Sequence, residues 1–240
     1  MNRSDRLRFD VPLYTVAEAA RIVDVPHSTV ASWAKGYVRR PPGRPPILAA
    51  PIVTARQADC PGEPTLPFVG LVEALVLAAV RHSGVPMQRI RPALDVLKSE
   101  IGVEYALASE KLYTDGAEVL YDYGESRRGT DAGDRALALV VVRSNQRVFV
   151  EIIQSYLRRI TYGDDGYATV ISVPAYANAQ VLADPSRSFG APIFTHGGAR
   201  VGDVLDRFWS GETLIEAAAE FGVPVGELEN VVRVTSRRAA

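Results

Sequence analysis

The stretch TVAEAARIVDVPHSTVASW, from Thr15 to Trp33, decides how the chain is read. Thr15 is placed to cap a helix, and Glu18 three residues on completes a capping box, while Val16, Ala19, Ala20 and Val23 give that helix one apolar face. A turn follows at Asp24, Val25 and Pro26, because proline does not continue the first helix but is accommodated before a new one. The second helix opens at His27 or Ser28 and carries Val30 and Trp33 inward. Ala20, Asp24, Val25, Val30 and Trp33 fall at the spacing of a helix-turn-helix, in which a small residue lets the helices approach and apolar anchors follow the turn. Aspartate stands at the usual turn glycine and is among the residues that tolerate left-handed backbone.

The pattern returns 198 residues later at Ala218, Gly222, Val223, Leu228 and Val231, with Thr213 and Glu216 as a second capping box; six of the nineteen aligned positions are identical. One amphipathic hairpin can match such a spacing by chance; a second copy makes chance a poor explanation. The copies differ on the surface that a DNA groove would meet. The first offers His27, Ser28, Thr29, Ser32 and Lys35, whereas the second offers Glu227, Glu229 and Asn230. Phosphate repels carboxylate, so DNA contact is assigned to the N-terminal copy and packing against protein to the C-terminal one.

Outward from the first hairpin, residues 36–67 are rich in proline and arginine, with short extended pieces at Ile47–Leu48 and Ile52–Val53. This suits a wing, with Arg39, Arg40 and Arg44 on its rim to neutralise phosphates; the bland alternative is a proline-rich linker. Phe68–Arg81 reads as a strongly apolar helix. Gly84, Val85 and Pro86 break it, and Ile90, Leu94, Leu97 and Ile101 begin another. The charges are segregated: residues 1–59 hold nine basic and five acidic side chains, residues 100–134 nine acids against three bases, and residues 184–229 eight acids against three bases. Arg233, Arg237 and Arg238 return the tip to positive. The plain alternative is a set of ordinary solvated faces, but the basic head coincides with a motif.

With 240 residues, 47% hydrophobic and 23% charged, the chain falls in the globular range, which excludes disorder and low complexity. No apolar run is long enough for a bilayer span and the start is polar, so a cytoplasmic chain with no membrane partner is expected. Cys60 is the single cysteine, and His27, His82 and His196 are far apart, so neither a disulfide nor a metal site nor a cofactor is expected.

The first two-fifths of the chain resembles a MerR-type winged helix. Thr29, Val30, Trp33 and the Gly36–Tyr37 pair are similar to its second helix and wing start, and residues 68–97 to the helix pair that follows. Ala31 stands where that family often has a basic residue, and a proline-rich stretch replaces its wing signature. Residues 184–232 resemble a short domain found in bacterial antitoxins, on Gly190, Pro192, Ile193, Gly198, Arg200, Val201, Val204, Leu205, Gly211 and Glu212. A MerR-like head joined to this tail looks like the large VapB-type antitoxins of type II toxin-antitoxin systems. The resemblance implies an antitoxin that neutralises a PIN-domain (VapC-type) ribonuclease toxin and autoregulates by binding promoter DNA, as a dimer. PIN ribonucleases are expected to hold magnesium among carboxylates, and Arg233, Arg237 and Arg238 are the toxin-binding candidates because arginine competes for such oxygens. A disordered, solubilising tail is the alternative for them.

The expected fold class is α+β: a winged helix-turn-helix over residues 1–101, a small central α+β domain over 102–178 and a helical helix-turn-helix-like domain over 179–240. In the centre, Lys111–Tyr113, Glu118–Tyr121 and Leu137–Val142 read as strands, Gln146–Leu157 as a helix, and Arg159–Tyr162 and Ala168–Val173 as strands about a Gly163–Gly166 turn. Catalysis is not expected. Asp164–Asp165 lies in a glycine-flanked turn with no base or nucleophile placed beside it, and no phosphate loop or nucleophile elbow occurs. A second function class stays open, a stand-alone MerR-like regulator whose tyrosines Tyr113, Tyr121, Tyr123 and Tyr156 line a small-molecule cavity.

Overall fold

Fifteen residues, Phe68–His82, form helix α4, which is buried on every side from Phe68 to Val80, including Glu73. A helix that is apolar all round must be enclosed by other elements, and here α1 (Arg3–Phe9), α2 (Val16–Val23), α8 (Glu151–Leu157), β6 (Ala168–Ser172) and the short turn Ala106–Ala108 pack around it. The computed structural model describes residues 3–40, 43, 46–60, 62–85, 87–143 and 146–239. One cluster of buried residues runs from Tyr14 to Val231. Among the described residues no helix is long and apolar enough to cross a membrane.

Helices alternate with three small antiparallel sheets. α3 (His27–Lys35) leads into the hairpin β1 (Tyr37–Arg39) and β2 (Ile47–Ala49). After α4 come α5 (Met87–Ile101), α6 (Glu110–Ser126) and α7 (Asp131–Leu137), then the hairpin β3 (Val140–Arg143) and β4 (Gln146–Phe149). A four-stranded meander follows, β5 (Ile160–Tyr162), β6, β7 (Val181–Ala183) and β8 (Ile193–Phe194), and the chain closes with α9 (Val201–Trp209), α10 (Leu214–Phe221) and α11 (Val225–Ala239). The α+β class expected from the sequence holds.

The centre departs from expectation. Residues 110–126, read as containing two strands, form one helix, because Leu112, Gly116, Ala117, Leu120, Tyr123 and Gly124 repeat at three, four and five residues and are all buried. The runs Lys111–Tyr113 and Glu118–Tyr121, read as strands, are both turns of this helix. Gly116 and Gly124 are packing positions rather than breaks: a Cβ would come within 3.1 Å of the Phe149 ring at the first and 2.6 Å of Leu137 at the second. The strand read at Leu137–Val142 is instead the end of α7 followed by β3, and the helix read over Gln146–Leu157 is β4 and α8 meeting at Val150. The strands at 160–162 and 168–172 and the turn between them are as expected.

The acidic pair in that turn has a structural role. Asp165 receives the Arg8 guanidinium through two hydrogen bonds of 3.2 and 2.5 Å, and Arg8, only 6% exposed, also reaches Asp5 at 2.8 Å. Bidentate pairing of this kind ties α1 to the meander. Phe9 stacks on Tyr105 at 5.3 Å and meets Tyr167 edge-on, so the same corner is aromatic. Arg8 holds the Asp165 carboxyl below its ordinary range. The contribution of the pair is therefore present above the ordinary carboxylate pKa and is lost as pH falls through the lowered one. Asp165→Asn should lower unfolding free energy at neutral pH by about 1–2 kcal/mol, since it leaves a buried cation half-satisfied. Denaturant titrations at pH 7 and pH 3 check this: the gap between wild type and variant should narrow in acid.

Candidate nucleic-acid interface

The first hairpin forms as its residues dictate. Thr15 Oγ1 accepts from the Glu18 amide at 3.1 Å while the Thr15 amide donates to Glu18 Oε2 at 2.8 Å. Asp24 adopts φ 58°, ψ 51°, and the amide beyond it, Val25, donates to Ala20 at 3.1 Å. At the other end of the chain Thr213 and Glu216 make the same reciprocal cap, Gly222 takes φ 65°, ψ 31°, and Val223 donates to Ala218 at 2.9 Å. Even the first turns of the second helices agree, with Thr29 donating to Pro26 and Glu227 to Pro224, both at 2.9 Å. Two hairpins of one backbone design thus stand in one molecule.

Their outer surfaces differ. On α3, His27, Ser28 and Lys35 are exposed, Thr29 is half-buried, and Ser32 is half-buried with its hydroxyl donating to Thr29 O at 2.7 Å. Val30, Trp33 and Ala34 face inward. The position on α11 matching Thr29 is Glu227, which accepts from the Gln180 amide at 3.0 Å and lies 3.0 Å from His196 Nδ1. The rear second helix is thereby fastened to its own chain by the carboxylate that would repel phosphate. His196 is exposed and joins this contact.

The wing is held by backbone. Gly36 has φ 68°, and a Cβ there would lie 2.3 Å from Ala49 O, so α3 passes into β1 with β2 pressed against the junction. Ile52 and Val53 donate to Trp33 O at 2.8 and 3.3 Å. From the other side, Arg91 Nη1 donates to Ala50 O at 2.6 Å, Lys98 Nζ to Ile52 O at 2.7 Å, and the Thr54 amide to Glu73 Oε2 at 2.5 Å. Burial pushes the Glu73 carboxyl above its ordinary value, opposed by Lys98 and the Thr54 amide. Arg91, Lys98 and Glu73 were not among the candidate residues; a lone acid inside the apolar run Phe68–Val80 was the signal for Glu73, while the other two have none in the sequence. Arg39, Arg40 and Lys35 are exposed and make no ion pair with any described residue. Arg44 lies outside the described residues.

Arg233 and Arg237 are exposed on α11, which runs as a helix to Ala239. Arg233 pairs with Glu229 one turn back at 2.6 Å. The side chain of Arg238 is outside the described residues. A cleft of about 380 Å³ opens between α2 and the C-terminal helices, lined by Arg21, Ile22, Tyr176, Leu205, Trp209 and Thr235 among others. Tyr113, Tyr121 and Tyr123 lie on α6 and Tyr156 stacks on His82; none of the four lines this cleft. Among the described residues no group of three or more histidine, cysteine or acidic side chains is placed to hold a metal ion.

Residues 12–94 match the family described as "Putative DNA-binding HTH domain". The chain is 47% identical over 228 residues to "Putative antitoxin VapB45" of Mycobacterium tuberculosis (strain ATCC 25618 / H37Rv), covering 94% of this chain and 95% of that one. It is 26% identical over 236 residues to "Uncharacterized protein Rv2308" of the same organism, covering 95% and 92%. The X-ray crystal structure of Rv2018 from Mycobacterium tuberculosis superposes with a TM-score of 0.82 at 44% identity, covering 94% of this chain and 99% of that one.

Gly36→Ala places a methyl group against Ala49 O and should displace the wing, at a cost of about 1–3 kcal/mol. DNA affinity measured by fluorescence anisotropy should fall while the far-ultraviolet circular dichroism of the helices stays near wild type.

Proposed function

The chain belongs to the VapB-type antitoxins that carry a helix-turn-helix, and from that premise we propose that it neutralises a PIN-domain ribonuclease with its C-terminal part and represses its own promoter with α3 and the wing. The observation that supports this division is the pair of hairpins with one backbone and opposite surfaces: the front one offers His27, Ser28 and Lys35 to a polyanion, and the rear one spends Glu227 on Gln180 and His196. The three segments 1–101, 102–178 and 179–240 then stand for DNA reading, a central connector and toxin capture. The protein works in the cytoplasm, where its DNA and toxin are, and performs no chemistry itself. A dimer is the working form on DNA, because one recognition helix reads only a few base pairs and two-fold symmetry doubles the contact.

For the toxin, Arg233, Arg237 and Arg238 are carried on a helix end, so they approach a carboxylate-lined pocket as a stiff probe. Arg233 leaves Glu229 for the toxin's carboxylates, exchanging one exposed pair for a less hydrated one.

Replacing Arg39, Arg40 and Arg44 together with alanine should lower the slope of log affinity against log salt by roughly 2–3, at about 0.9 per lost phosphate contact. An unchanged slope in anisotropy titrations removes the wing from the interface. Deleting Thr235–Ala240 should abolish or strongly weaken inhibition of a PIN-domain ribonuclease that the full chain inhibits, measured by cleavage of a fluorogenic RNA. Full inhibition by the truncated chain would take Arg237 and Arg238 out of the mechanism.

A further inference from the structure

Val38 and Leu48 sit directly opposite each other in the β1–β2 ladder, and they are 57% and 75% exposed. Two large aliphatic side chains paired on one face of a two-stranded hairpin stay mostly in solvent and present a small apolar ridge. The sequence around them carries one sign of charge. From Val25 to Ala58 there is not one carboxylate, while Lys35, Arg39, Arg40 and Arg44 fall in that interval, along with Arg56, which pairs with Asp10 at 3.1 Å. A protein partner for such a ridge would have to be acidic around an apolar patch; a duplex offers phosphates around stacked bases, which is the same complement in a single regular object.

The reach fits. The nine residues of α3 span about 14 Å, enough to lie across a major groove about 12 Å wide. Gly36 then turns the chain without a linker, and a three-residue strand carries the ridge roughly 10 Å beyond the helix end. The hairpin is stiff at its base, where Arg91, Lys98 and the backbone of α3 hold Ala50, Ile52 and Val53.

We propose that the Val38–Leu48 pair is a wedge that enters the minor groove beside the helix-reading site and unstacks a base step, so that the protein bends its operator, with Arg39 and Arg40 holding the flanking phosphates. This deepens the promoter-binding reading and rests on it. It assigns to Leu48 a task different from that of the arginines: they supply salt-dependent affinity, it supplies deformation.

The test uses the full chain and a duplex of its own promoter labelled at both ends for energy transfer. The wild type should bend the duplex by an angle in the range of roughly 20–90° that apolar wedges produce. Leu48→Ala, and the double variant Val38→Ser with Leu48→Ser, should lose most of that bend while the salt slope stays at the wild-type value. Leu48→Met should restore it. Arg39→Ala with Arg40→Ala should do the reverse, flattening the slope while saturating protein still bends the duplex. A bend that persists in the double serine variant overturns the wedge and leaves promoter binding standing. If sedimentation shows that Leu48→Ala turns a dimer into a monomer, the ridge covers a second copy and the wedge is again wrong. Absence of any complex between the wild type and promoter DNA at low salt overturns the binding reading itself. Leu48 is three-quarters exposed, so its replacement leaves the core untouched, and thermal unfolding confirms an intact fold.

Discussion

A helix with no wet face sets the terms for everything around it. From Phe68 to Val80 every residue of α4 is buried, so five other elements, drawn from both ends of the sequence, must cover it before water is excluded. The one acid in that run, Glu73, cannot remain without a partner at such depth, and it takes the amide of Thr54 just after the wing. This contact joins the burial of the core to the segment that follows the β1–β2 hairpin. Gly70, a turn earlier, lets the backbone of Thr54 come so close that a Cβ would meet its carbonyl at 2.1 Å.

The two helix-turn-helix units illustrate how little of such a motif concerns DNA. Capping threonine, reciprocal glutamate, small residue, left-handed turn residue and Val-Pro pair recur at both ends with matching hydrogen bonds. All of these make the hairpin fold. What distinguishes the two copies is the handful of outward positions on the second helix, where Thr29 of the first is matched by Glu227 of the second. A single hairpin design is used twice in one VapB-type chain, with two different outer surfaces.

Much of this was legible beforehand, for identifiable reasons. Caps, turns and the helical period are local, so the hairpins, the wing at Ile47 and the long apolar helix could be read from neighbours in sequence. Asp24 was recognisable as a left-handed residue because few side chains tolerate that backbone. The centre was misread because the short runs Lys111–Tyr113 and Glu118–Tyr121 read separately as strands, whereas the helix that joins them packs Gly116 and Gly124 against partners distant in sequence, Phe149 and Leu137. The contacts that pose the wing escaped for the same reason. Arg91 and Lys98 donate to backbone carbonyls more than forty residues away, and a carbonyl carries no sequence label. Asp164–Asp165 was placed correctly in a turn, but its real partner, Arg8, lies 157 residues upstream.

One seam carries a consequence for synthesis. Tyr14, fully buried at the entrance to the first hairpin, donates its hydroxyl to the carbonyl of Gly190 at 2.9 Å, and Gly190 has no side chain because the tyrosine oxygen occupies that space. Translation delivers these two groups in order, the tyrosine long before its acceptor. A ribosome releasing the first hundred residues thus releases a DNA reader whose floor has not yet been laid. The N-terminal unit is closed only by the last quarter of the message, and an aborted chain is left with a greasy underside for proteases to find.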